Sequence, residues 1–167
     1  LRGEGDFFQR LLTATKQTWP HPKMLIVSFP HNPTTKVVDL DFFEDLVAFA
    51  KEHRLMIVHD FAYGDIVFDG YRAPSLLQVK GAKDVGVEFF SLSKSYNMTG
   101  WRIGMVVGNA EAIGALRTLK SNLHSGIPQA IQYMAIEALN GPQDCVTEHN
   151  TIYQRRRDLI VEVLNNI

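Results

Sequence analysis

A lysine, an arginine, a carboxylate, an amide, a phenol and two serine hydroxyls stand at or just beyond the ends of apolar runs in this sequence. The run Val87-Glu88-Phe89-Phe90-Ser91-Leu92-Ser93-Lys94 has strand length and ends in two serines and a lysine. Desolvation favours the neutral form of a lysine. A neutral lysine amine adds to carbonyl groups and forms Schiff bases. A second run, Leu55-Met56-Ile57-Val58-His59-Asp60, ends in a carboxylate, and Tyr63 follows three residues later. A third, Met24-Leu25-Ile26-Val27-Ser28-Phe29, leads into Pro30-His31-Asn32-Pro33. Arg102 lies near the start of a fourth, Trp101 to Gly108.

These residues need elements that hold them. The first three runs are continuous enough to be strands covered on both faces, as in parallel sheets. Between the first two lies Phe43, Leu46, Val47 and Ala50 at helical spacing. Asp39 or Asp41 can cap that helix, and Lys51, His53 and Arg54 suit its last turn. Strand, helix and strand make a βαβ unit. An N-terminal helix is expected over Gly5 to Gln17, and a short one over Ala73 to Val79 after the Asp69-Gly70 turn signal. The two prolines at 30 and 33 predict a fixed, extended turn. The third strand is expected over Val85 to Ser93 and the fourth over Trp101 to Gly108, with Ser95 to Gly100 as a short loop. A parallel crossover takes about a dozen residues or more, so the fourth strand should run antiparallel to the third, or the chain should turn away from the sheet. Helices are expected over Ala110 to Asn122, Pro128 to Leu139 and about Gln143 to Ile167. Arg155-Arg156-Arg157 reads as a solvated or subunit-facing patch. The fold class is α/β: a mostly parallel sheet flanked by helices, with one antiparallel strand.

In open α/β sheets, ligands bind beyond the carboxyl ends of the strands. That rule gathers Asn32, Asp60, Tyr63, Ser91, Ser93, Lys94 and Arg102 at one edge, around one pocket. The donor set fits pyridoxal 5'-phosphate. Asp60 can keep a pyridine nitrogen protonated, making the ring an electron sink. Arg102, Ser91 and Ser93 can hold a phosphate by charge-assisted hydrogen bonds. Lys94 can form the Schiff base, and Asn32 and Tyr63 can hydrogen-bond the ring's phenolate oxygen.

Composition excludes several other classes. The formal net charge is −1 and no predicted helix carries a basic stripe, so nucleic acid and acidic membrane surfaces are not expected partners. The one cysteine, Cys145, cannot form an internal disulfide and fits a reducing, cytoplasmic compartment. No apolar run approaches the ~20 residues of a membrane span. No metal site is expected.

Phe29-Pro30-His31-Asn32-Pro33-Thr34-Thr35, His59-Asp60-Phe61-Ala62-Tyr63 and Ser91 to Gly104 resemble, in order and spacing, the class I/II aminotransferases of PLP fold type I. The resemblance implies that Lys94 is the Schiff-base lysine and that Asn32 and Tyr63 meet the cofactor's 3′-oxygen. It implies Asp60 at the ring nitrogen, Ser91 and Arg102 at the phosphate, and Ser93 as a further phosphate ligand. Asp69 to Ser75 and Ser93 to Gly104 look most like the bacterial alanine (glutamate–pyruvate) enzymes, with the LL-diaminopimelate and aspartate enzymes close by. The implied activity is transamination between an amino acid and a 2-keto acid in a homodimer. A lyase or synthase on the same fold and a non-catalytic aminotransferase-like domain or inactive fragment are the alternatives. The resemblance covers only part of the family's length. It implies residues 1–142 as the central part of a PLP-binding large domain and 143–167 as the start of a long helix toward a small domain. Thr35 stands where many members have glycine.

Overall fold

The apolar runs pair into one four-stranded sheet in the order β1-β2-β3-β4. The structure is a computed structural model and describes residues 7–166. β1 (Met24–Ser28), β2 (Met56–Asp60) and β3 (Gly86–Ser91) are parallel neighbours. β4 (Gly104–Gly108) runs antiparallel to β3, as the short connection requires. The helices are α1 (Phe7–Gln17), α2 (Leu40–His53), α3 (Ala82–Val85), α4 (Leu92–Ser95), α5 (Ala110–Leu123), α6 (Gln129–Asn140) and α7 (Asp144–Asn165). Gly5, Asp6 and Ile167, the outer ends of two expected helices, lie outside the described residues.

One face of the sheet makes the core. Phe43, Leu46 and Ala50 of α2 lose all their exposure against it, together with Ile57 of β2 and Leu76. Burial of a Phe or Leu side chain contributes about 1.5–3 kcal/mol, so this stripe is the main apolar anchor of the βαβ unit. Asp39 caps α2 by accepting the Phe42 N–H, and Arg54, in the left-handed region at φ 54°, closes its far end onto the Ala50 and Lys51 carbonyls. The second face is not covered as expected. Ile26 is 70% exposed, and Met24 and Phe89 are exposed beside it.

Local geometry departs from the sequence reading at four places. The 30–35 stretch is a closed turn, not an extended one: Thr35 N–H donates to the His31 carbonyl and His31 N–H to that of Lys36. Thr35 has φ 56° there, the left-handed conformation that favours glycine, the residue many members of the resembled family carry at this position. β3 stops at Ser91 instead of Ser93, because the Ser91 hydroxyl accepts the Ser93 N–H and caps the helical turn α4, which carries Lys94. A 3-10 turn at Thr99–Trp101 delays β4 to Gly104, so Arg102 precedes the strand, at φ 53°. The helix expected over 73–79 is only a 3-10 turn, Leu76–Gln78, capped by Ser75 and Gln78 reciprocally. Asp69 and Gly70, at φ 59° and 77°, close the expected turn with Tyr71 N–H on the Phe68 carbonyl.

Candidate functional site

The parallel strands end together, and that is what assembles the site. Ser28, Asp60 and Phe89 are in register across β1, β2 and β3. Ser91 stands opposite Gly104, so Arg102 lies at the same edge, two residues before β4. The edge carries the turn with Asn32, the Phe61–Tyr63 segment, and α4 with Lys94.

Three of the expected residues touch one another. Asn32 Nδ2 donates to the Tyr63 hydroxyl at 3.0 Å. Lys94 Nζ stands 5.5 Å from the centre of the Tyr63 ring, within cation–π range. The amide, phenol and amine thus form a continuous polar corner supplied by three different loops. Asn32 is exposed, and Tyr63 and Lys94 are half-buried, so the corner opens to solvent.

The other residues flank this corner. Asp60 is exposed, and its Oδ1 accepts the Ala62 N–H at 3.2 Å, which fixes the carboxylate at the strand end. It lines a hollow of about 590 Å³ with Ser28 and His31. Asn32 and Tyr63 line an adjoining cleft of about 760 Å³ that also reaches Arg157 and Val161 of α7. His31 lines both hollows, and Ser91, Ser93, Lys94 and Arg102 line neither. Ser91 is half-buried, whereas Ser93 is only 6% exposed. The Arg102 guanidinium donates to the Thr99 carbonyl at 3.0 Å and is exposed.

Sequence reasoning missed the part α7 plays. Tyr96, two residues past Lys94, donates its hydroxyl to Gln143 Oε1 at 2.8 Å. Burial pushes the Tyr96 phenol up from its ordinary pKa, and the Asp65 carboxylate adds to the effect. Tyr153 donates to Asn97 Oδ1 at 2.8 Å, and Asn150 Nδ2 to the Asp65 carbonyl at 2.6 Å. Arg157 is not a solvated member of a basic patch. It makes a two-pronged ion pair with Asp69, also binds Asp158, and lies over the Phe68 ring. Arg155 and Arg156 are exposed. The available signal was the run of amide and phenol side chains on a helix with few continuous apolar positions.

The donor set fits a phosphorylated pyridine aldehyde: an amine beside a phenol and an amide, a strand-end carboxylate, and a hydroxyl and guanidinium at the same edge. Among the described residues no three His, Cys, Asp or Glu side chains gather as a metal would need, and no helix is long and apolar enough to cross a membrane.

The chain has clear relatives among known proteins. The family model described as aminotransferase class I and II matches residues 6–167. An LL-diaminopimelate aminotransferase of Dehalococcoides mccartyi is 54% identical over 167 residues, covering 100% of this chain and 43% of that protein. The glutamate-pyruvate aminotransferase AlaC of Escherichia coli is 52% identical over 160 residues, covering 96% of this chain and 39% of its own length. The crystal structure of an aspartate aminotransferase from Rhizobium meliloti superposes with a TM-score of 0.86 at 32% identity, over 95% of this chain and 40% of that one. This chain thus spans about two fifths of the length of the curated relatives it matches.

Proposed function

From the premise that this chain belongs to the class I and II aminotransferases, we propose that it serves the transfer of an amino group from an amino acid to a 2-keto acid with pyridoxal 5'-phosphate. When bound, the cofactor supplies an electron-withdrawing ring that acidifies the amino acid's Cα–H. The protein's own residues do the rest. Lys94 Nζ would hold the cofactor covalently and, once displaced by the substrate amine, would carry the proton from the substrate Cα to the cofactor's aldehyde carbon, as base and then as acid. Asp60 meets the ring nitrogen and keeps it protonated. Asn32 Nδ2 and the Tyr63 hydroxyl, already hydrogen-bonded to each other, both meet the ring oxygen. Arg102 and Ser91 meet the phosphate. Ser93, being buried, is a weaker candidate there.

The observation that carries this reading is the contact of Lys94 with Tyr63, which in turn holds Asn32. A lysine that simply left its strand for solvent would not sit over a phenol tethered to a third loop. Residues 1–142 are read as part of a large cofactor-binding domain, and 143–167 as the start of a helix that leaves it. A homodimer in the cytoplasm belongs to the same proposal.

The substrates proposed are alanine and glutamate with pyruvate and 2-oxoglutarate, in keeping with the relative named a glutamate-pyruvate aminotransferase. The relatives named LL-diaminopimelate aminotransferases favour a second substrate reading. Assays of the full-length protein with alanine plus 2-oxoglutarate, LL-diaminopimelate and aspartate decide between them. In the same protein, Lys94→Ala is expected to abolish both turnover and the absorbance of covalently held cofactor. A variant that keeps either one contradicts the assignment.

A further inference from the structure

His59 and Glu88 are ionisable, buried and unused by the reaction above. They face each other in the register of β2 and β3, on the sheet face that α2 covers. His59 is 0% exposed and Glu88 5%. His59 Nδ1 lies 3.0 Å from Glu88 Oε2, and Nε2 lies 3.1 Å from the Phe29 carbonyl oxygen. Glu88 Oε1 accepts the Ser75 hydroxyl at 2.8 Å, and Oε2 accepts the Leu76 N–H at 2.9 Å. The rings of Phe43 and Phe61 flank the imidazole at 4.9 and 5.1 Å.

The hydrogens can be counted. A backbone carbonyl only accepts, so Nε2 carries a hydrogen. Nδ1 and Oε2 cannot both be bare at 3.0 Å, so a further hydrogen lies between them. The pair is therefore an imidazolium with a carboxylate, or the same proton moved across. Such a pair in a core is a poor source of stability, since apolar residues of similar volume often do as well or better. Its gain is in direction.

One of the directions it fixes, through the Phe29 carbonyl, leads to the site edge. Phe29 opens the closed turn that carries Asn32. His59 is the residue before Asp60, with its side chain on the opposite sheet face. Ser75 and Leu76 bring in the segment that follows Tyr71. We propose that His59 and Glu88 are positioning residues: through the Phe29 carbonyl they hold the Asn32 turn in register with Asp60 from behind the sheet. The proposal rests on the aminotransferase reading only for what that edge binds; the positioning of the turn stands on the hydrogen bonds alone.

Three variants of the full-length protein test it. His59→Leu removes both ring hydrogen bonds. His59→Gln puts an amide N–H near the place of Nε2 and so keeps the bond to Phe29. Leu46→Ala, on α2, destabilises the same core without touching the network. Hydrogen exchange is read in the cofactor-free protein on the peptide spanning residues 29–36, and the pyridoxal phosphate Kd is read by titration. In His59→Leu the peptide is expected to exchange about tenfold faster than in a Leu46→Ala protein of similar melting temperature. The Kd is expected to rise by about tenfold, while Leu46→Ala leaves it within about threefold. His59→Gln should stay close to wild type in both readings. Equal exchange in His59→Leu and Leu46→Ala, or identical behaviour of Gln and Leu at position 59, overturns the proposal. Failure of the wild-type protein to bind pyridoxal phosphate overturns the functional reading instead, and the exchange comparison still decides this one.

Discussion

Helix α2 gives Phe43, Leu46 and Ala50 to the sheet with none of their surface exposed, whereas α7 buries no residue along its 22 positions. α7 is held instead by side-chain hydrogen bonds: Gln143 at its N-cap accepts from Tyr96, and Asn150, Tyr153 and Arg157 donate to segments that flank Tyr63 and Lys94. Apolar burial is non-directional and large, so α2 fixes that the sheet forms. Polar contacts at an exposed junction are individually small and specific in geometry. They fix how the site loops sit against α7 while leaving each contact free to break by itself.

The largest effect expected from this contrast is at α2. Phe43→Ala should cost about 3–5 kcal/mol, read from urea denaturation. On α7, Tyr153→Phe removes one hydroxyl bond and should cost about 0.5–1 kcal/mol. Comparable losses at the two positions would erase the distinction between the helices. The smallest effect is at the Asp69–Arg157 pair, whose Asp69 side chain is 65% exposed, so that solvent and salt screen it. The hydrogen bond from Arg157 holds the Asp69 carboxyl below its ordinary pKa. A depressed carboxyl stabilises the fold above its unfolded pKa and stops doing so as pH falls through its folded value. The stability difference between wild type and Asp69→Asn should therefore be present at neutral pH, shrink with added salt, and vanish in acid. A difference that grows toward low pH would mean that the pair does not hold α7 in this way.

The same contrast explains what could be read from the sequence. Periodicity finds α2 because its anchors are apolar and regularly spaced. It finds the strands because they are continuous runs, and the length of the connection gives the direction of β4. It misses α4, because Leu92 extends the apolar run past the point where the Ser91 hydroxyl turns the chain. It also misses the Arg157–Asp69 pair and the Tyr153 and Asn150 contacts, since partners 56 to 88 residues apart leave no local pattern. Asn32, Tyr63 and Lys94 were legible as strand-end residues, and they do meet. Asp60 was legible at its strand end, but the hollow it lines was not, because that depends on how Ser28 and His31 pack beside it. His59 and Glu88 left one faint trace: two ionisable residues inside otherwise apolar strands.

The central claim is that Lys94 is the amine that holds the cofactor. Borohydride reduction of the full-length protein saturated with pyridoxal phosphate, followed by peptide mass mapping, tests it most directly. The account predicts a stable pyridoxyl adduct on Lys94 at about one per chain. An adduct on a different lysine, or none, would contradict it.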